Sequence, residues 1–293
     1  VRLILMPFAA HGDIIATYHR SYLILTGDWH VSFHYLSPSL FFTICQIVQA
    51  LFLVLCNHLL PLRDLLYWKD SVLASAAFWL NIFIRNQYAH RALFLFKLPY
   101  LIFDLATAVV LFYLFERKEE RTIALKFWMI NPIGIFAVYV FGRYETIPIF
   151  LVVLSLYCAK TNKRFFSFLL LGMVAMEQYY GLMFLPVYLA ILGRNFRERL
   201  SFLIVGSIVV IRDLVVGSSV VVGRTFLESP FFNYLLAMRL DVTGQQIYVF
   251  VLTYVLLTLY WIHTCGKEFS DLWKFALAAL LVFYATCSFH PNY

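Results

Sequence analysis

Lys97-Leu-Pro-Tyr-Leu-Ile-Phe-Asp104 sets two ionisable side chains inside an apolar run. Residues 94–115 are otherwise apolar enough to read as a membrane span, which needs about 20 such residues. Lys97 and Asp104 are seven positions apart, two helical turns, so a helix carries both on one face. Charges at membrane depth are costly and face a bundle interior or a wet cavity. On this reading the chain has a polar place inside a membrane. The two side chains either neutralise each other as a structural pair or support that cavity; they are not read as the reacting groups.

Composition widens the expectation to the whole chain. The sequence is 62% hydrophobic and 13% charged, with a mean hydropathy of +0.81. A soluble domain is nearer half apolar and a quarter charged. Thirty Phe and nineteen Tyr suit aromatic-rich membrane interfaces. The expected fold is therefore all-α: a polytopic transmembrane helical bundle forming one domain over residues 1–293. Candidate spans are 38–60, 71–85, 94–116, 123–141, 146–159, 165–177, 180–192, 200–217, 246–263 and 272–289. Several fall short of a straight crossing, which implies tilted, broken or re-entrant helices. Cys45, Cys56, Cys158, Cys265 and Cys287 have no metal-site or Cys-x-x-Cys spacing and read as apolar packing residues. The chain is expected to be an internal piece of a longer protein, lacking at least one span at each end.

Basic residues are unevenly shared among the connections. Arg63 with Lys69, the cluster Arg117, Lys118, Arg121 and Lys126, the cluster Lys160, Lys163 and Arg164, the cluster Arg194, Arg197 and Arg199, and Lys267 with Lys274 hold most of the 23 Lys and Arg. The positive-inside rule places these in the cytoplasm. The opposite, outer face then holds residues 1–37 with an interfacial helix, the turns at Gly142 and Glu177, a later loop at 218–245, and His290. These connections are too aromatic for disorder, and long connections between spans are usually functional.

Four places on that face could carry chemistry. In Pro7-Phe-Ala-Ala-His-Gly-Asp13, the acid begins a segment where Ile14, Ile15, Tyr18, Tyr22 and Leu25 recur at helical spacing. Such a helix lies along a membrane surface, and Asp13 is either its cap or a general base. The turn Gly142-Arg-Tyr-Glu-Thr-Ile-Pro148 offers Arg143, whose fork suits phosphate, with Glu145 beside it; the plain alternative is a solvated ion pair. Glu177 is expected to pair with Arg143. Residues 218–245 set Arg224, Glu228, Arg239 and Asp241 among aromatics, as a phosphate and isoprenoid site or as an interfacial helix without ligand. Arg212 and Asp213 read as a local pair. No Gly-rich phosphate loop, His-Glu-x-x-His, Gly-x-Ser-x-Gly or Asp-x-Asp occurs.

Together these stretches suggest a family. Leu95-Phe-Lys97-Leu-Pro99-Tyr-Leu-Ile-Phe-Asp104 resembles the Lys-x-Pro-x4-Asp span of C-type (GT-C) membrane glycosyltransferases. Asn131-Pro132 followed by Gly142–Pro148 looks like that family's Asn-Pro and Gly-Gln-[Phe/Tyr]-Asp-x-Ile-Pro pattern. Ala175-Met-Glu-Gln-Tyr-Tyr-Gly-Leu-Met-Phe-Leu-Pro186 is similar to its Ala-Phe-Lys turn, and Phe289-His-Pro-Asn-Tyr293 to its late Phe-His-Pro segment. The chain departs from the pattern at Arg143, Glu145 and Glu177, where the family has Gln, Asp and Lys, as though an ion pair had been exchanged.

The resemblance implies an inverting glycosyltransferase. It would move a hexose, mannose for instance, from a polyprenyl- or dolichyl-phosphate donor to a lipid-linked glycan, glycolipid or protein acceptor on the lumenal or extracytoplasmic face. Asp13 takes the family's general-base position, with Asp28 as fallback. Arg143, Arg224, Arg239 and His290 are the phosphate-binding candidates; Glu145, Glu177, Lys97 and Asp104 support the site. Neither a metal nor a cofactor is assigned, because no clustered carboxylates supply a metal site. The expected partners are the lipid-phosphate sugar, the acceptor and the bilayer, with no nucleic acid. The expected location is an endoplasmic reticulum or prokaryotic plasma membrane, crossed many times. The rival functions are a transporter or lipid flippase, and an inactive subunit of a membrane complex.

Overall fold

A computed structural model describes residues 1–28, 43–66, 76–177, 179–208, 238–242, 245–264, 272, 274–279 and 281–282. These are mostly helical. The chain divides into two compact units, Val1–Val153 and Leu154–Tyr293.

The first unit begins with α1 (Arg2–Leu5), α2 (Gly12–Thr26), α3 (Ile44–Cys56), α4 (Leu62–Leu66) and α5 (Ala76–Ile84). It continues through α6 (Ala89–Leu114), α7 (Lys118–Ile130) and α8 (Pro132–Ile135), which runs into a π-helical turn, Phe136–Val140. Helix α2 packs on α3 and α5, and α6 packs on α3, α5 and α7. Tyr18 stacks on Phe96 with centroids 4.1 Å apart, and its hydroxyl donates to the Phe96 carbonyl. Polar groups inside this core are chained together, as burial requires. Ser21 donates to Gln49 at 2.8 Å, and Gln49 donates to the Tyr100 hydroxyl at 2.7 Å.

The chain leaves the first unit within α9 (Thr146–Lys160). The second unit holds α10 (Arg164–Glu177), a 3-10 turn (Tyr179–Phe184), α11 (Leu185–Leu192), α12 (Phe196–Gly206), strands β1 (Arg239–Val242) and β2 (Gln245–Tyr248), and α13 (Val249–Thr264). Helix α10 packs on α12 and α11 on α13. Ser155 and Ser167 exchange hydroxyl-to-carbonyl bonds of 2.9 Å in this unit's core. The strands pair antiparallel with Arg239 opposite Tyr248. This ladder falls across the end of the 218–245 loop, where no strand was expected.

The structure overturns the ten-span, multi-pass integral-membrane reading. Among the described residues one helix, Ala89–Leu114, is long and apolar enough to cross a membrane. A second joins it only if Lys118–Ile130 and Pro132–Val140, bent by 41°, count as one span. The reason is length. The apolar helices Ile44–Cys56, Thr146–Lys160 and Val249–Thr264 have 13, 15 and 16 residues. At about 1.5 Å per residue each falls short of a hydrocarbon core about 30 Å thick. Much of their apolar character serves packing: Cys45, Ala50, Leu53 and Cys56 of α3 are all buried. The interfacial helix is corrected too. Ile14, Ile15 and Tyr18 of α2 have no exposed surface, so α2 is a core helix of the first unit.

Candidate functional site

Helix α2 starts one residue before Asp13. His11 is its N-cap, its ring nitrogen accepting from the Asp13 backbone N–H at 3.3 Å. Asp13 is thus a first-turn acid, where a negative charge meets the positive end of the helix. Its carboxylate Oδ2 accepts from Arg143 Nη1 at 2.8 Å. Arg143 also holds Glu145 Oε1 through Nε at 2.9 Å and Nη2 at 2.8 Å. One guanidinium therefore bridges two carboxylates from segments 130 positions apart. Burial disfavours the charged guanidinium, yet Glu145 and Asp13 outweigh it and raise the Arg143 pKa. The pair is partly open to solvent, with 44% of the Arg143 side chain and 37% of Asp13 exposed, so its stability contribution is about 0.2–1 kcal/mol.

Two oxygens of the Arg143 segment are buried without a hydrogen-bond partner among the described residues, Glu145 Oε2 and Thr146 Oγ1. Such atoms are rare, and each calls for an explanation such as a ligand or water. His11 Nδ1 lies 3.4 Å from Asp13 Oδ2, close enough to bond it when the ring is protonated. Gly142 delivers Arg143: its φ of +72° belongs to the left-handed region, and a Cβ in its place would run into Ile14 of α2.

Beneath the bridge lies the Lys97–Asp104 face of α6. Both residues are buried, with 0% and 4% exposure, and they do not pair with each other. The Lys97 ammonium donates to the carbonyls of Ala9 and Tyr139, the latter at 2.7 Å. Asp104 Oδ2 accepts from Arg2 Nε and from the Tyr139 hydroxyl, both at 2.7 Å. Tyr139 is thus held twice, by its backbone from Lys97 and by its side chain from Asp104. The two carbonyls that Lys97 grips lie four residues before Asp13 and four before Arg143. The buried charges work as a clamp on the two segments that carry the bridge. Asn131-Pro132 contributes by ending α7: the Asn131 side chain caps the next helix through Ile133 N–H at 3.1 Å, and Pro132 occupies its first turn.

The other expected residues belong to other stretches of the chain. Asp28 follows Gly27 at the far end of α2, about 22 Å along the helix from Asp13 at 1.5 Å per residue. Glu177 ends α10 and Arg239 opens β1, both in the second unit. Arg143 meets its carboxylates within the first unit, in Asp13 and Glu145. Arg224 and His290, with Arg212, Asp213 and Glu228, lie outside the described residues.

Four polar residues of this region were missed in the sequence: Arg2, His11, Arg20 and Tyr139. Arg20 was legible, standing two turns after Asp13 on the same face of α2. Its pKa is lowered by burial, with Tyr144 and Asp13 acting in the opposite sense. Arg2 and Tyr139 carried no local signal, since only tertiary packing brings them to Asp104. An open groove of about 530 Å³ runs beside Arg2, walled by Leu101, Leu105, Met129, Ile130 and Ile135.

Compared with known proteins, this chain matches no family model, no curated protein and no solved structure.

Proposed function

We propose that the Asp13–Arg143–Glu145 cluster performs inverting glycosyl transfer from a polyprenyl- or dolichyl-phosphate hexose. The observation that carries this reading is the Asp13–Arg143 contact: an acceptor-only carboxylate and a planar phosphate-binding group share one partly open site. In the resting site Arg143 occupies Asp13. A donor phosphate competes for the guanidinium, matching its fork as well as a carboxylate does, and thereby releases Asp13.

The step then balances simply. Asp13 removes the proton of an acceptor hydroxyl as that oxygen attacks the anomeric carbon from the face opposite the phosphate. The bond from the anomeric carbon to the phosphate oxygen breaks, and the phosphate departs with the electron pair. Arg143 stabilises the charge that develops there. Glu145 Oε2 and Thr146 Oγ1, buried and without a partner among the described residues, would meet hydroxyls of the sugar only once the Gly142 turn opens to expose them. The apolar groove beside Arg2 suits an isoprenoid segment of the donor.

The test is transfer of radiolabelled hexose from polyprenyl-phosphate mannose and glucose to a pool of glycan, glycolipid and peptide acceptors. Asp13→Asn is expected to abolish transfer while donor binding persists, and Arg143→Gln to weaken donor binding. Donor binding that is indifferent to Arg143→Gln, with no transfer by the wild type, would remove the assignment.

A further inference from the structure

The second unit gathers two basic sequence clusters onto one edge. The end of α9 and the start of α10 bring Lys160, Lys163 and Arg164; the connection from α11 into α12 brings Arg194, Arg197 and Arg199. Arg164 Nη1 lies 3.7 Å from Glu198 Oε1, which locks the two segments side by side. They border a shallow depression of about 460 Å³. Glu198 is the one acid among these segments, so six cations against one anion leave five of the chain's seven net positive charges here. Three phenyl rings stand out from the same edge: Phe165, Phe166 and Phe196 are 53%, 57% and 79% exposed.

We infer that this edge docks on an anionic lipid surface. Cations on long apolar stems beside exposed phenyl rings fit such a surface. Ammonium and guanidinium groups meet the headgroup charge while the rings and stems enter the boundary of the acyl region. The rings favour lipid over nucleic acid. Phe165 and Phe166 pack edge to face, with planes at 80°, which offers no parallel platform on which successive bases could stack. Arg197 and Lys163 are exposed and can meet headgroups. The inference is independent of the transfer reaction, since it uses only residues of the second unit.

The test is flotation of the full chain with vesicles of phosphatidylcholine alone and of phosphatidylcholine with one-third phosphatidylserine, over a salt series. The anionic vesicles are expected to bind about tenfold more tightly at low salt, with the advantage fading as the Debye length shrinks. Lys163→Gln combined with Arg197→Gln is expected to remove most of that advantage and leave binding to neutral vesicles unchanged. Phe196→Ser is expected to weaken binding to both. Equal binding to the two vesicles, an advantage untouched by the double substitution, or displacement of vesicles by a single-stranded RNA oligomer would each overturn the inference.

Discussion

Replacing Gly142 by Ala should destabilise the first unit by about 2–5 kcal/mol. Two separate costs contribute. The backbone at Gly142 has φ +72°, and an L side chain in the left-handed region costs about 1–2 kcal/mol. The added methyl would also sit 2.9 Å from Ile14 Cβ and 3.0 Å from its Cδ1. Ile14 is fully buried on α2, so its Cβ yields only if the helix moves; overpacking of this kind costs about 1–3 kcal/mol. Unfolding monitored by tryptophan fluorescence measures the sum, and a double-mutant cycle with Ile14→Ala reports the share that the outer Ile14 atoms carry. Ile14→Ala alone leaves a cavity and should cost about 2–5 kcal/mol. In the double variant Ile14→Ala removes the Cδ1 and Cγ2 contacts but keeps the Cβ at 2.9 Å, so Gly142→Ala should cost less than it does alone but more than its backbone share of about 1–2 kcal/mol. A Gly142→Ala change under about 0.5 kcal/mol, or strict additivity with Ile14→Ala, would refute the close packing of the Arg143 turn on α2.

Further outcomes follow from the same geometry. Lys97→Met leaves the Ala9 and Tyr139 carbonyls without their donor, a cost of about 1–3 kcal/mol for each group, partly offset by no longer burying an ammonium. Its specific signature should be loss of the Asp13–Arg143 coupling energy in a double-mutant cycle. Tyr139→Phe removes one of the two donors to Asp104 Oδ2 and should destabilise by about 1–3 kcal/mol in denaturant titrations. Acid should weaken the first unit through His19, a buried ring that contacts the Leu66 carbonyl. Burial lowers its pKa, the carbonyl opposes this, and Arg20 adds to the lowering. The unfolded chain therefore binds the proton first. Stability from this group is complete above about pH 6.5 and is lost as pH falls towards the folded pKa. His19→Asn should flatten that part of a stability-against-pH curve.

Local pattern made the helices legible but not their setting. The apolar run at 94–116 corresponds to α6 (Ala89–Leu114), and the run at 165–177 to α10 (Arg164–Glu177). Apolar composition alone, however, does not distinguish a side chain facing lipid from one facing another helix. Cys45 and Leu53 are buried in protein, and α3 ends after 13 residues; such short helices underlie the overturned ten-span reading. Spacing correctly put Lys97 and Asp104 on one face, because helical period is local. Their partners were hidden, because Ala9, Arg2 and Tyr139 reach that face only through long-range packing. The β1–β2 ladder was missed because Leu240 and Val242 sit among charged and polar residues assigned to the 218–245 loop, while Ile247 was assigned to the apolar span 246–263. Asp13 and Arg143 were singled out separately, and their contact at 2.8 Å is a tertiary fact that neither segment encodes alone.

The most direct test of Asp13 as the base is a single-turnover measurement of hexose transfer from polyprenyl-phosphate mannose. It compares the wild-type chain, Asp13→Asn and Asp13→Glu, with donor binding measured in parallel. The expected result is transfer by the wild type, none by Asp13→Asn despite bound donor, and partial recovery by Asp13→Glu. Transfer by Asp13→Asn at the wild-type rate would contradict it.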